Sequence, residues 1–323
     1  MQWIDAPTIS SLLDYPGLCA AFAQAHREPL PVNADLCLEH PGSADRFMLR
    51  TAWSERQMVG VKLATEFPGN YHRYPPSPSI QGVYVAFDGI TGTPVFAADG
   101  AALTARKTAA DSALGLDLLA RQDVQTMLMV GAGDMAGPLI EAFTALRPSL
   151  RQVCIWNRTR SRAEKLVADL QIPGVELTVV DDLDAALPAA EVICAATMSD
   201  QPLIRGAQVA PGTHVNLVGS WLPHMREADN DVLIRGQLYV DYRPTALASG
   251  ELQLPLASGV ISVDDIFGDL FDLCRGAPPR FTTDQITVFK NAGGAHLDLF
   301  AAQQLARRLG IEQAALQVEN ETT

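Results

Sequence analysis

The chain has 323 residues, 48% of them apolar and 19% charged, with 24 Lys+Arg against 37 Asp+Glu for a formal charge of −13. That length suggests about two domains. The acidity excludes a nucleic-acid binder, which needs a basic stripe to displace counterions, and a protein that docks on an anionic membrane surface.

No apolar run approaches the ~20 residues needed to span a bilayer. The opening MQWIDAPTIS lacks the basic-then-apolar pattern of a secretory signal, so a cytoplasmic protein is expected. The five cysteines, Cys19, Cys37, Cys154, Cys194 and Cys274, show no metal-ligand or redox spacing and are expected to be buried inert thiols. The six histidines are scattered, and no metal site is expected.

In chain order, MVGVKLATE at 58–66 predicts a strand that carries one lysine. The Pro-, Asn- and Ser-rich PGNYHRYPPSPS predicts a loop. Strands near 83–87 and 95–98 are joined by DGITGTP, which has hairpin chemistry. LTARKTAADSALGLDLLAR follows with Ala109, Ala113, Leu116 and Ala120 at helical spacing and Thr104 as the expected N-cap. From Val124 the pattern becomes strict strand–helix alternation: TMLMVGAG, DMAGPLIEAFTAL, QVCIWN, SRAEKLVADL, VELTVV, DDLDAALPAA, EVICAAT, HVNLVGS and LYVDY. Strands this apolar, separated by helices, imply a doubly wound parallel sheet of the Rossmann type covered on both faces. A last strand, ITVFKN, leads into the amphipathic LDLFAAQQLARRLG. The expected architecture is therefore α/β, with a Rossmann domain at 122–295 inserted into a discontinuous α+β domain at 1–121 plus 296–323.

Gly131-Ala132-Gly133-Asp134-Met135-Ala136 matches GxGxxA directly after a strand and at the opening of a helix. Gly131 permits a tight turn, Gly133 lets the backbone approach a pyrophosphate, and Ala136 allows close helix–strand packing. The helix N-terminus offers N–H groups and partial positive charge to that anion. Asp134 has the wrong sign for this place and has to turn outward. The next strand ends in Asn157, Arg158, Thr159 and Arg160, with Arg162 behind. An NAD enzyme normally carries a carboxylate there for the ribose hydroxyl, whereas these donors suit a 2′-phosphate. NADP(H) is favoured, with NAD(H) as the alternative.

Three cations stand out in an acidic chain: Arg50, Lys62 inside an apolar strand, and Arg106 in the expected first turn of its helix. Burial disfavours a charged lysine and a helix N-terminus disfavours a cation, and a bound carboxylate resolves both. Past HVNLVGS, the segment WLPHMREADNDVL carries Glu227, Asp229 and Asp231. Asp229 reads either as an acid–base group or as the N-cap of the helix that follows.

In this order GVKLATEFPGN, DGITGTPVFAADGAALTARKTAADSALGLDLLAR, VGAGDMA, VGSWLPHMREAD and ITVFKNAGGAHLDL resemble the ornithine cyclodeaminase/mu-crystallin family from about Arg46 to Gln304. The resemblance implies that Arg50, Lys62 and Arg106 hold a substrate carboxylate, with Lys62 near the reacting carbon–nitrogen bond and Asp229 as the acid–base aspartate. It places Thr197 and Met198 beside the cofactor, and Ala292 and Gly293 near nicotinamide and substrate. It also implies a homodimer. The sequence departs from the usual FKSxG pattern at Phe289-Lys290-Asn291-Ala292-Gly293, and His296 stands where a bland residue is expected.

The family contains ornithine cyclodeaminases, cyclic ketimine reductases, alanine dehydrogenases and non-catalytic mu-crystallins. An NADP-type strand end suits net reduction, and no carboxylate is set aside for the second ammonium of ornithine. The expected activity is NAD(P)H-dependent reduction of a small cyclic imino acid, Δ1-pyrroline-2-carboxylate or Δ1-piperideine-2-carboxylate, with ornithine cyclodeamination as the alternative, followed by an alanine dehydrogenase or a non-catalytic mu-crystallin-like NADPH-binding protein.

Overall fold

The computed structural model of the chain describes residues 1–75 and 77–311. These form two units, Met1–Lys107 with the segment from Gly294 onward, and Thr108–Gly293. The first division falls inside a helix rather than at 121/122, and residues beyond Ile311 lie outside the described part.

The first unit begins with β1 (Gln2–Ile4), α1 (Ala6–Leu12) and α2 (Tyr15–Ala25). Asp5 and Asp14 cap the two helices by accepting from Thr8 N and Gly17 N, and each helix has a proline in its first turn, where no N–H is missed. Then come β2 (Val32–Glu39), β3 (Arg46–Ser54), β4 (Met58–Glu66), β5 (Ile80–Asp88) and β6 (Pro94–Asp99). They form a six-stranded sheet in the order β1-β6-β5-β4-β3-β2, antiparallel except for the β1–β6 pair. The helix α3 (Gly100–Leu119) starts five residues earlier than a Thr104 cap implies. Asp99 takes the N–H groups of Ala101 and Ala102, and Thr104 is interior, its hydroxyl turned back to Gly100 O at 2.6 Å. The expected Thr104 cap is thus replaced by Asp99.

The second unit holds β7 (Thr126–Val130), α4 (Ala136–Leu146), β8 (Gln152–Trp156), α5 (Arg160–Asp169), β9 (Glu176–Val179), α6 (Leu183–Ala186), β10 (Val192–Ala195), β11 (His214–Leu217), α7 (Asn230–Arg235), β12 (Gln237–Val240), α8 (Arg243–Ala248), α9 (Gly250–Ala257), β13 (Ile266–Gly268), α10 (Leu270–Cys274) and β14 (Thr287–Lys290). Its eight strands are all parallel, in the order β13-β12-β14-β11-β10-β7-β8-β9. The doubly wound α/β fold is present. Leu128, Val130, Ile193, Val215, Leu217 and Val288 sit in one buried core, which is why these strands read as continuous apolar runs. Strand order reverses between β7 and β10, so their carboxyl ends form the switch point where ligands of such sheets bind.

The chain closes with α11 (Ala295–Arg308), which packs on β2, β3, β4 and α2 of the first unit. No described helix is long and apolar enough to cross a membrane. Cys19 and Cys194 are buried, whereas Cys37 is exposed on edge strand β2 and Cys154 and Cys274 are half-buried, so burial of all five thiols is corrected.

Candidate active-site residues

At the switch point Gly131 takes φ +109°, a conformation that only glycine adopts freely. A Cβ there would stand 2.7 Å from Ala196 O. Its N–H donates to Trp156 O at 2.8 Å, and Ala132 N–H donates to Asn157 Oδ1 at 3.1 Å. A Cβ on Gly133 would meet nothing within 4 Å, so the surface above the turn is open to a ligand. Met135 and Ala136 begin α4 without a side-chain cap, which leaves helix N-terminal N–H groups for an anion. Asp134 is exposed. These residues fit a dinucleotide pyrophosphate.

At the end of β8 the four expected residues divide. Asn157 is spent on structure, its amide nitrogen donating to Thr159 O at 2.8 Å. Arg160 is paired with Glu164 at 2.8 Å and with Asp181. Arg158 is exposed and has no ion-pair partner among the described residues. Beyond β10, Thr197 lies beside Gly131, with its Cγ2 3.1 Å from where a Cβ would stand, and Met198 is 74% exposed.

In the first unit the paired residues Asp35, Arg50, Lys62 and Tyr84 run across β2, β3, β4 and β5 on one face. Lys62 is buried, and both Asp298 oxygens approach its Nζ, at 3.0 and 2.8 Å, with Thr104 Oγ1 at 3.4 Å. Burial lowers the Lys62 pKa to about 8, Asp298 opposes that shift, and Lys107 and Arg50 add to it. Burial alone would raise Asp298, but Lys62, Lys107 and Arg50 outweigh it and hold the carboxyl below its ordinary range. Lys107 is 3% exposed and has no ion-pair partner among the described residues. Arg50 is half-buried, its Nε 3.6 Å from Asp35. Tyr84 is fully buried, with its hydroxyl over Gly60, where a Cβ would stand 1.7 Å from it.

Arg106 is held differently from its neighbour. Its guanidinium donates to Ser10 O at 3.3 Å and lies 4.5 Å over the Tyr15 ring, while Lys107, one residue on, is buried and acts electrostatically on Lys62 and Asp298. Adjacent helical residues diverge by roughly 100°, so only one of the two can point to the sheet. Lys107, Asp298 and Tyr84 are the residues of this group that sequence reasoning missed. Asp298 sits in the first turn of α11, a place that signals a helix start rather than a lysine partner. His296 is buried edge-on to His26 and Phe300 and is kept neutral by burial, His26 and Lys107.

Asp229 caps α7: its Oδ1 accepts from Val232 N at 3.1 Å and from Gly206 N at 2.9 Å. The backbone N–H groups of Ala292 and Gly293 both go to Asp241 Oδ2, so neither is left to hold a substrate. Among the described residues no cluster of His, Cys, Asp and Glu could hold a metal.

A parallel sheet in this order, with a glycine turn and an open helix N-terminus at its switch point, defines a Rossmann-type dinucleotide-binding protein. More narrowly, the chain belongs to the ornithine cyclodeaminase/mu-crystallin family, whose model matches residues 21–310. It is 42% identical over 308 residues to a Delta(1)-pyrroline-2-carboxylate reductase of Paracoccus denitrificans, covering 95% of this chain and 96% of that one. It is 37% identical over 244 residues to the ketimine reductase mu-crystallin of Mus musculus, covering 75% and 74%. In fold it resembles the Thermococcus litoralis Delta(1)-pyrroline-2-carboxylate reductase solved with NADH and L-proline, with a TM-score of 0.88 at 23% identity over 95% of this chain and 97% of that one.

Proposed function

We infer that this chain is a nicotinamide-dependent reductase of cyclic imino acids, converting Δ1-pyrroline-2-carboxylate to L-proline and Δ1-piperideine-2-carboxylate to L-pipecolate. The observation that carries the reading is a set of cations that outnumber the buried carboxylate they act on: buried Lys62 and Lys107, with half-buried Arg50, which also meets Asp35, all act on Asp298. A small anion resolves that imbalance. The identity to a pyrroline-2-carboxylate reductase along nearly the whole chain supports the same substrate class.

Arg50 and Lys107 take the substrate carboxylate and so fix the ring. Lys107 replaces Arg106 in that role, because Arg106 is engaged with Ser10 and Tyr15. The 131–133 turn and the uncapped start of α4 would hold a nicotinamide dinucleotide, which would supply the hydride. Lys62, charged near neutral pH and with a pKa of about 8, delivers a proton to the imine nitrogen as the carbon gains hydride, and Asp298 holds the ammonium in place. One hydride and one proton turn C=N into CH–NH, and solvent restores the lysine. Asp229 serves as the helix cap in this scheme.

We place NADPH ahead of NADH on the strength of Arg158, the one guanidinium of the β8 end residues 157–160 without an ion-pair partner among the described residues. Replacing it by Ala is expected to raise the NADPH KM by roughly tenfold and leave the NADH KM unchanged, since a charged hydrogen bond contributes about 1.5–3 kcal/mol. The activity is tested by following 340-nm absorbance with each cofactor and each cyclic imine. Loss of absorbance with the imines supports the reading. No loss with them, together with proline formed from ornithine and NAD, overturns it in favour of cyclodeamination.

We also propose a homodimer through the other face of the first unit's sheet. Val32, Leu36, Leu38, Phe47 and Trp53 on β2 and β3 are between 38% and 74% exposed, and their pairings Val32↔Trp53, Leu36↔Leu49 and Leu38↔Phe47 put them on one side. A contiguous apolar face that ends at edge strand β2 favours cover by a second copy.

A further inference from the structure

Next to the end of β10 lies a buried polar network that the reduction scheme does not use. Glu227 is fully buried, and its Oε1 accepts both the N–H of Thr197, at 2.6 Å, and the Thr197 hydroxyl, at 2.9 Å. Its own N–H goes to Glu251 Oε2 at 2.8 Å, and its carbonyl accepts from Leu203 and Ile204, both at 2.9 Å. From β14, Lys290 donates to Gly219 O and to Ser220 Oγ, the latter at 3.4 Å. Ser220, held at φ +54°, donates in turn to Glu251 Oε2 at 2.6 Å.

The loops are packed too closely for slack. A Cβ on Gly219 would stand 2.1 Å from Thr197 O and 2.5 Å from Glu227 Oε1. A Cβ on Gly131 would stand 2.7 Å from Ala196 O and 3.1 Å from Thr197 Cγ2. Thr197 is therefore wedged between Glu227 and the dinucleotide turn. Glu227 Oε2, buried, has no hydrogen-bond partner among the described residues.

We propose that Glu227 is a positioning residue: through Thr197 it fixes loop 196–199 against the glycine turn and so sets the cofactor surface before the cofactor arrives. This rests on the reading that the dinucleotide binds at 131–133. The groups facing Glu227 are Lys290 on β14, Glu251 on α9 and the Cys194 thiol on β10. Arg226, beside it in the chain, is directed to Glu251 at 3.4 Å, and Asp241 acts on Lys290. Burial raises the Glu227 pKa to about 7, with Lys290 opposing the shift and Glu251 adding to it. Losing its charge weakens two charge-assisted bonds to Thr197 at once.

The test is equilibrium titration of NADPH and of NADH, separately, into wild type, Glu227→Gln, Glu227→Ala and Thr197→Val across pH ~6–9, with melting temperature and the imine KM at saturating cofactor measured alongside. Wild-type affinity is expected to fall as pH drops below about 7. Glu227→Gln, which keeps an acceptor oxygen for Thr197, binds with intermediate affinity that is flat over the same range. Glu227→Ala loses roughly tenfold and Thr197→Val about fivefold in cofactor affinity, with the imine KM unchanged. A folded Glu227→Ala protein with wild-type affinity overturns the proposal, as does wild-type pH dependence in Glu227→Gln. Should Glu227→Ala fail to fold, Thr197→Val with wild-type affinity is the overturning result. If wild type binds neither nucleotide, the cofactor reading itself falls, whereas weakening confined to the variants supports the latch.

Discussion

Lys62 balances two opposing influences, because burial drives its proton off while the Asp298 carboxylate holds it on. Its activity as a proton donor should decline as pH rises through about 8, read as an alkaline limb in kcat. Asp298→Asn removes the holding charge, so that limb should move to lower pH while the acid side stays in place. The same pair makes stability rise with pH in two separate windows. Asp298, held below its unfolded value of 3.8, contributes stability that is present above that value and lost as pH falls through its folded pKa. Lys62, lowered from 10.5, binds its proton more tightly in the unfolded chain, so its contribution rises between about 8 and 10.5. Asp298→Ala strands a buried ammonium among other cations and should cost about 3–5 kcal/mol in denaturant unfolding.

That partnership could not be read from spacing, since Lys62 and Asp298 are 236 residues apart. Nor could the choice between Arg106 and Lys107. It depends on helix phase, and a helix thought to start at Thr104 gives no reason to prefer the second cation. Lys62 itself was legible, because a lysine inside an apolar strand conflicts with its surroundings wherever the strand lies.

Among the elements, the glycine turn and α7 separate two kinds of acidic and glycine positions. Gly131→Ala should abolish nucleotide binding in a titration, because it demands both a left-handed φ and a Cβ 2.7 Å from a backbone carbonyl. Asp229→Ala should cost about 1 kcal/mol of stability as a lost cap and leave kcat within about twofold. A collapse of kcat in a variant that melts like wild type would return Asp229 to the chemistry. The parallel strands were legible because burial on both faces makes them uniformly apolar. The caps at Asp5 and Asp14, each two residues ahead of a proline, were equally legible in principle but stand apart from any chemical motif. Strand β2 was legible in principle, since Val32, Ala34, Leu36 and Leu38 alternate with Asn33, Asp35 and Glu39, but its apolar side is exposed rather than packed in a core, so the alternation does not point to one.

For the whole molecule, the acidic charge and the apolar β2–β3 face act on different partners. In the proposed dimer, net negative charge would keep copies apart at long range, while burial of Val32, Leu36 and Trp53 would draw them together on contact. Leu36→Asp with Trp53→Asp should shift the sedimentation coefficient from dimer to monomer. An unchanged dimer in that variant would place the interface elsewhere.

The Lys62–Asp298 contact also orders events on the ribosome. Lys62 emerges early, but its carboxylate is translated only after every strand of the parallel sheet. Synthesis proceeds at ~5–20 residues per second, and domains generally fold as units. The nucleotide-binding unit is therefore complete in sequence before the first unit's sheet receives α11. A nascent chain stalled just short of Ala295 holds the nucleotide turn and all three cations, Arg50, Lys62 and Lys107, yet lacks the carboxylate that keeps Lys62 charged. In the proposed scheme the proton donor's charge is therefore secured only when α11 arrives.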